Sequence, residues 1–181
     1  MLEEFNKINN PQELYEFILK NINYGIKGYL AKETNDHLDK WKLNTELELL
    51  NNPYGLCFDY VELERYWFQK HNFEHQTIFI YFALEYENEY STHSTLIYKQ
   101  NNKWYHFEVA NHNNQGIHEF NTYQDTVSYI INEFIKYNQT LNNYLDKDLI
   151  NKIKLFTYPK PDNNLNFSEY IDYIINNGTE I

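Results

Sequence analysis

Cys57, His93 and Glu108 are the residues of this chain whose types and spacing can do chemistry together. Cys57 is the only cysteine, and it follows the turn-forming run Asn52-Pro53-Tyr54-Gly55 at the first turn of a predicted helix. Unpaired N–H groups and the positive end of the helix dipole favour a thiolate over a thiol there. A free thiol with a pKa near ~8.5 still needs a base at neutral pH, and a histidine held by an acid supplies one. Nucleophile, base and orienting group in one place are suited to attack on a carbonyl carbon.

The elements that must position these residues follow from hydrophobic periodicity. Leu56, Tyr60, Leu63 and Trp67 recur at helical spacing, so the cysteine helix faces a core and runs to about Lys70. His93-Ser94-Thr95-Leu96-Ile97-Tyr98 alternates as a strand, Lys103-Trp104-Tyr105-His106-Phe107-Glu108-Val109 alternates as the next, and Gln100-Asn101-Asn102 between them is turn material. A two-residue loop at Gln100-Asn101 sets His93 directly opposite Glu108. Moving the loop to Asn101-Asn102 makes them diagonal neighbours on one face. A three-residue loop turns them to opposite faces.

Other residues compete for these roles. His106, His112 and His118 are rival bases, and His106 lies on the same strand face as Glu108. Asn111 is the alternative orienting residue, because an amide can also hold an imidazole. The oxyanion formed on the attacked carbonyl needs at least two donors. The backbone N–H of Cys57 is one; the second is open, with Asn51, Asn52 and Tyr54 close in sequence. A zinc site would use His71 and His75 with Cys57 or His112. His71-Asn72-Phe73-Glu74-His75 lacks the glutamate that zinc proteases carry directly after the first histidine, so no metal is expected. Glu85, Glu87 and Glu89 read as a solvated acidic loop rather than a calcium site, one that can favour a cationic substrate.

Gly55-x-Cys57 opening an amphipathic helix, a histidine at the start of a later strand and the acid in Trp104-Tyr105-His106-Phe107-Glu108 together resemble the transglutaminase-like, papain-like cysteine superfamily. The resemblance spans about Tyr54 to Phe120. The usual acid in that superfamily is aspartate, and Glu108 is longer by one methylene. Val61-Glu62-Leu63-Glu64-Arg65 and Gly116-Ile117-His118-Glu119-Phe120 resemble a small bacterial subgroup of it. The resemblance implies thioester chemistry on Cys57 without a cofactor: hydrolysis of an amide, deamidation of a glutamine, or transfer of the acyl group to an amine. The implied partner is a peptide or protein amide, with a small amine as a conceivable acceptor.

The 181 residues are expected to form one domain, residues 1–181, around a core rich in aromatic rings, given 18 Tyr and 12 Phe. A formal charge of −11 argues against nucleic acid and anionic lipid as partners. With one cysteine, no apolar N-terminal run and no long apolar stretch, the expectation is a soluble cytoplasmic protein without a membrane segment.

Asn10-Pro11-Gln12-Glu13 starts a helix with Leu14, Phe17, Ile18 and Ile22 on its inner face, ended by Tyr24-Gly25-Ile26-Lys27-Gly28. A polar connection over Lys32–Asp39 is expected to be mobile near the site, and a short helix covers Thr45–Leu50. Thr77–Leu84 is apolar on both faces and reads as a central strand; Glu85–Thr92 is a loop. Ala110–Asn121 is irregular and polar, and Thr122-Tyr123-Gln124-Asp125 opens another helix. Asn138–Asp148 is a further helix or a turn, Ile153–Tyr158 a last strand, and Ser168 caps a final helix that Gly178 ends. The fold class is α+β, with N-terminal helices and the cysteine helix packed on an antiparallel sheet of about four strands. Two readings follow: an enzyme working through a thioester, or a noncatalytic peptide- or protein-binding module on the same fold.

Overall fold

Caps written into the sequence start two of the helices of the N-terminal half. The structure, a computed structural model, describes residues 1–29, 37–84, 89–142 and 152–181. A single-turn helix α1 (Leu2–Phe5) leads to α2 (Pro11–Asn21), whose N-cap Asn10 accepts from the Glu13 N–H at 2.9 Å. Leu14, Phe17 and Ile18 are buried, as their spacing requires. Thr45 and Glu48 form a reciprocal capping box at α3 (Glu46–Asn51). The cysteine helix α4 (Cys57–Lys70) is buried on nearly every side: Tyr60, Leu63 and Trp67 face the core, and Asp59, Glu62, Glu64 and Arg65 are buried as well.

A small parallel pair links these helices. β1 (Asn23–Tyr24) lies beside β2 (Tyr54–Gly55), with Tyr24 opposite Gly55. A Cβ at Gly55 would meet Cβ of Asp59 at 2.8 Å and Cδ1 of Leu49 at 3.0 Å, so only glycine allows this approach.

The main sheet contains β3 (Glu74–Leu84), β4 (Glu89–Gln100), β5 (Lys103–Glu108), β6 (Gly116–Phe120), β7 (Lys154–Thr157) and β8 (Thr179–Glu180). Their order is β6-β5-β4-β3-β7-β8 and every pairing is antiparallel. The sheet is thus wider than the four strands read from the sequence. β6 falls in the stretch read as irregular, because an edge strand carrying His118 and Glu119 need not alternate cleanly. β8 has two residues, too few to show a period. β4 starts at Glu89, inside the expected acidic loop.

Asn101 and Asn102 have φ of 51° and 59°, the left-handed geometry of a two-residue hairpin turn whose twist matches its strands. Gln100 therefore pairs with Lys103 and Leu96 with Phe107. Of the registers open to the sequence, this one makes His93 and Glu108 diagonal neighbours.

Thr122 caps α5 (Tyr123–Asn142), whose Ile130 and Phe134 pack on Ile78, Ile80 and Ile97 of the sheet. The final helix α6 (Phe167–Asn177) is capped by Asn166 rather than Ser168: Asn166 accepts from the Glu169 N–H at 3.0 Å and Glu169 takes the Asn166 N–H in return. On the opposite face of the sheet from α5, α2 and α4 pack against Leu96, Tyr98 and Phe107. The described residues thus make an α+β fold. None of their helices is long and apolar enough to cross a membrane. Residues 32–36 of the expected polar connection, Glu85 and Glu87 of the acidic loop, and residues 143–148 of the expected helix or turn lie outside the described residues.

Candidate active site

Cys57 is the first residue of α4, and Leu56 before it is extended, so the Cys57 N–H is one of the helix's unpaired first-turn amides. The thiol is 4% exposed, in a cluster with Trp41, Phe58, Phe167 and Tyr170 that joins α4 to α6. It is near enough to His93 to help raise the pKa of that ring. His93 Nε2 stands 2.7 Å from Glu108 Oε2, which leaves Nδ1 as the nitrogen for the thiol. The structure therefore brings together the three residues singled out from the sequence.

Glu108 is buried, and its other oxygen, Oε1, accepts from the backbone N–H groups of Ala110 and Asn111, each at 2.8 Å. Burial alone would raise its pKa. The charge of His93, its hydrogen bond and the neighbouring His106 outweigh burial and hold the carboxyl well below the usual range. For His93 the balance is the mirror image. Burial disfavours its charge, but the Glu108 carboxylate, its hydrogen bond and the neighbouring Cys57 raise it well above an ordinary imidazole. An ionised acid and a strongly basic histidine beside a thiol favour transfer of the thiol proton to the ring.

The remaining candidates fall into other places. Asn111 serves through its backbone N–H; its side-chain oxygen accepts from the Asn113 N–H instead of holding His93. His106 is buried with Nε2 at 2.8 Å from Thr95 Oγ1 and 3.6 Å from Glu108 Oε2. Thr95 donates its own hydrogen to the Phe107 carbonyl, so His106 must donate to Thr95, and burial lowers its pKa. His118 stacks on His106 from β6, and His112 meets the edge of Tyr24. Tyr54 exposes its side chain. His71 stacks on Trp67, and His75 bonds to the Phe73 carbonyl, so the two histidines weighed as zinc ligands have other partners. Among the described residues no group of three His, Cys, Asp or Glu is arranged to hold a metal ion.

Asp59 carries a larger positioning role than its sequence place suggested. It accepts four hydrogen bonds, from Trp41 Nε1 at 2.8 Å, the Asn44 N–H and Asn44 Nδ2 at 2.9 Å each, and the Leu56 N–H at 2.8 Å. These tie the residue before Cys57 to the 41–44 segment. An acid at the third helical position was the available signal, since such residues bond back to the helix start.

A cavity of about 230 Å³ opens beside His93 and Glu108. Its walls include Tyr24, Ile80, Ile130, Phe134 and Tyr137, with Asn111 and Asn113 among its polar lining; Cys57 is outside the lining.

The buried acids make stability depend on pH. Burial pushes Glu62 up to about 7, only partly offset by Arg65, whose Nε is 3.0 Å away. Burial first, and then the charge of Glu108, raise Glu64 well above the carboxylate range. Both acids, and His93, bind a proton more tightly folded than unfolded. Stability from the acids is present below the unfolded value near ~4.3 and is lost as pH rises through their folded values; that from His93 is lost above ~6.5. Glu108 has the opposite sign, and its contribution is lost only as pH falls below ~4.3. Thermal melts should therefore give a higher midpoint at mildly acidic than at mildly alkaline pH, with Glu62 alone worth about 3 kcal/mol. Glu62→Gln should flatten the profile, and a midpoint that rises with pH would contradict this account.

A family model described as a transglutaminase-like domain matches residues 1–139. No curated protein matches the chain. The matched span contains Cys57, His93 and Glu108, whereas β7, β8 and α6 lie beyond it, although α6 packs around Cys57.

Proposed function

The chain belongs to the transglutaminase-like domain family, and on that premise we propose that it carries out cysteine-dependent acyl chemistry on an amide. The observation that carries this reading is His93, 2.7 Å from a buried carboxylate and electrostatically linked to Cys57.

Cys57 gives its proton to His93 Nδ1, and the thiolate attacks the carbonyl carbon to form an oxyanion. As the oxyanion collapses, His93 returns the proton to the departing nitrogen and a thioester remains on Cys57. Water or an amine, deprotonated by His93, then attacks the thioester and releases the thiol. Glu108 keeps the ring oriented and stabilises its charged form throughout. Substrates of this chemistry are peptide or protein carboxamides, and the outcome is hydrolysis, glutamine deamidation or transfer to an amine.

The second reading, a noncatalytic binding module, draws on the burial of Cys57 at 4% exposure and its position outside the cavity lining. The rate of iodoacetamide alkylation against pH separates the two. The enzyme reading expects a reactive plateau well below the free-thiol pKa, and a fall of about 10 to 10² at pH 6 in His93→Ala as the thiolate fraction drops. Alkylation that follows an ordinary thiol, or a cysteine inert while folded, overturns it in favour of the binding module.

A further inference from the structure

Resting on that reading, we propose that Tyr24 is the second oxyanion donor, its hydroxyl acting with the backbone N–H of Cys57 on the attacked carbonyl. The small parallel pair joins Tyr24 to the segment just before Cys57. Tyr24 sits opposite Gly55, and the Gly25 N–H donates to the Gly55 carbonyl at 2.9 Å, so the backbone of Tyr24 is fastened to the turn that delivers Cys57. The absent side chain at Gly55 is what lets that turn close against Asp59 and Leu49.

The side chain is held as firmly. Its ring meets Tyr60, one turn along α4 from Cys57, edge-on at 6.0 Å, and His112 at 6.1 Å. Tyr24 and His93 both line the 230 Å³ cavity, and Tyr24 packs against the cluster that holds Cys57. A carbonyl held in that cavity therefore meets both side chains. Among the described residues the Tyr24 hydroxyl makes no hydrogen bond, although it is near enough to Cys57 for their charges to interact. Burial, then the proximity of Cys57, raise that hydroxyl well above an ordinary phenol, so it remains a donor across the working range of a thiolate.

In the step itself the Cys57 sulfur forms a bond to the carbonyl carbon, and the electron pair of the C=O π bond moves to oxygen. Tyr24 donates a hydrogen bond to that oxygen without giving up its proton. Collapse re-forms the C=O bond and expels the leaving group, with the acyl group left on sulfur.

Two reactions of the same thiol isolate this role, because acylation passes through an oxyanion and alkylation by iodoacetamide does not. The experiment compares the burst of nitrophenolate from p-nitrophenyl acetate with the iodoacetamide rate in the parent, Tyr24→Phe and Cys57→Ala. Phenylalanine keeps the ring packing. Tyr24→Phe should slow the burst roughly 10²-fold, the usual scale for losing one oxyanion donor, and leave the alkylation rate at the parent value. A burst at the parent rate in Tyr24→Phe overturns the assignment alone. Equal losses in both reactions overturn it too, by assigning Tyr24 a purely structural role. A parent without a burst that depends on Cys57 overturns the acyl-chemistry reading, and this one with it.

Discussion

Glu108→Gln is expected to lower acylation and turnover by about 10⁴, the scale seen when a triad acid becomes its amide. The loss follows from proton placement rather than size. A glutamine can keep its carbonyl oxygen on the Ala110 and Asn111 N–H groups, which stand 2.8 Å from Glu108 Oε1. Its amino group then faces His93 Nε2, where the carboxylate oxygen stood at 2.7 Å. Nε2 must accept that hydrogen bond, so the ring proton moves to Nδ1, the nitrogen that should receive the thiol proton. The substitution also removes the negative charge that raises the His93 pKa. The alkylation plateau at low pH should disappear with the burst, while the fold survives. A glutamine variant that acylates at the parent rate would show that His93 takes no orientation from residue 108.

Asp59→Ala should produce the largest loss of stability. It leaves Trp41 Nε1 and the Asn44 and Leu56 N–H groups without their shared acceptor. Each orphaned donor costs about 1–3 kcal/mol, so the three together cost about 3–9 kcal/mol. That is a large part of the roughly 5–15 kcal/mol that holds a domain together. Asp59→Asn, which keeps one carboxamide oxygen as acceptor, should lose less. Urea unfolding midpoints of the two variants test this, and an alanine variant as stable as the parent would refute the network's role. The consequence reaches the chemistry, because the Leu56 N–H bond holds the residue before the thiol.

Much of this arrangement could be read locally. The α4 stripe, the caps Asn10 and Thr45, and the alternating strands around Gln100-Asn101-Asn102 are set by neighbours within a few residues, where periodicity and side-chain-to-backbone bonds act. Cys57, His93 and Glu108 were legible for the same reason: a helix start and one hairpin face are short-range features. The stacking of His71 on Trp67 is a packing feature that cannot be seen in a spacing rule. β6 was missed because its polar residues pair with a neighbouring strand at an edge, which relaxes the alternation that marks a buried strand.

The sequence by itself determined which residues could serve as nucleophile, base and acid, and limited the hairpin to a few registers. Only the tertiary structure chose the Asn101-Asn102 turn, laid Tyr24 beside Gly55, gathered Trp41 and Asn44 onto Asp59, and packed α6 around Cys57. The physical reason is range. Periodicity, capping and turn preference are interactions along a few residues of chain, whereas a shared carboxylate or a parallel strand pair joins segments whose separation in sequence carries no pattern.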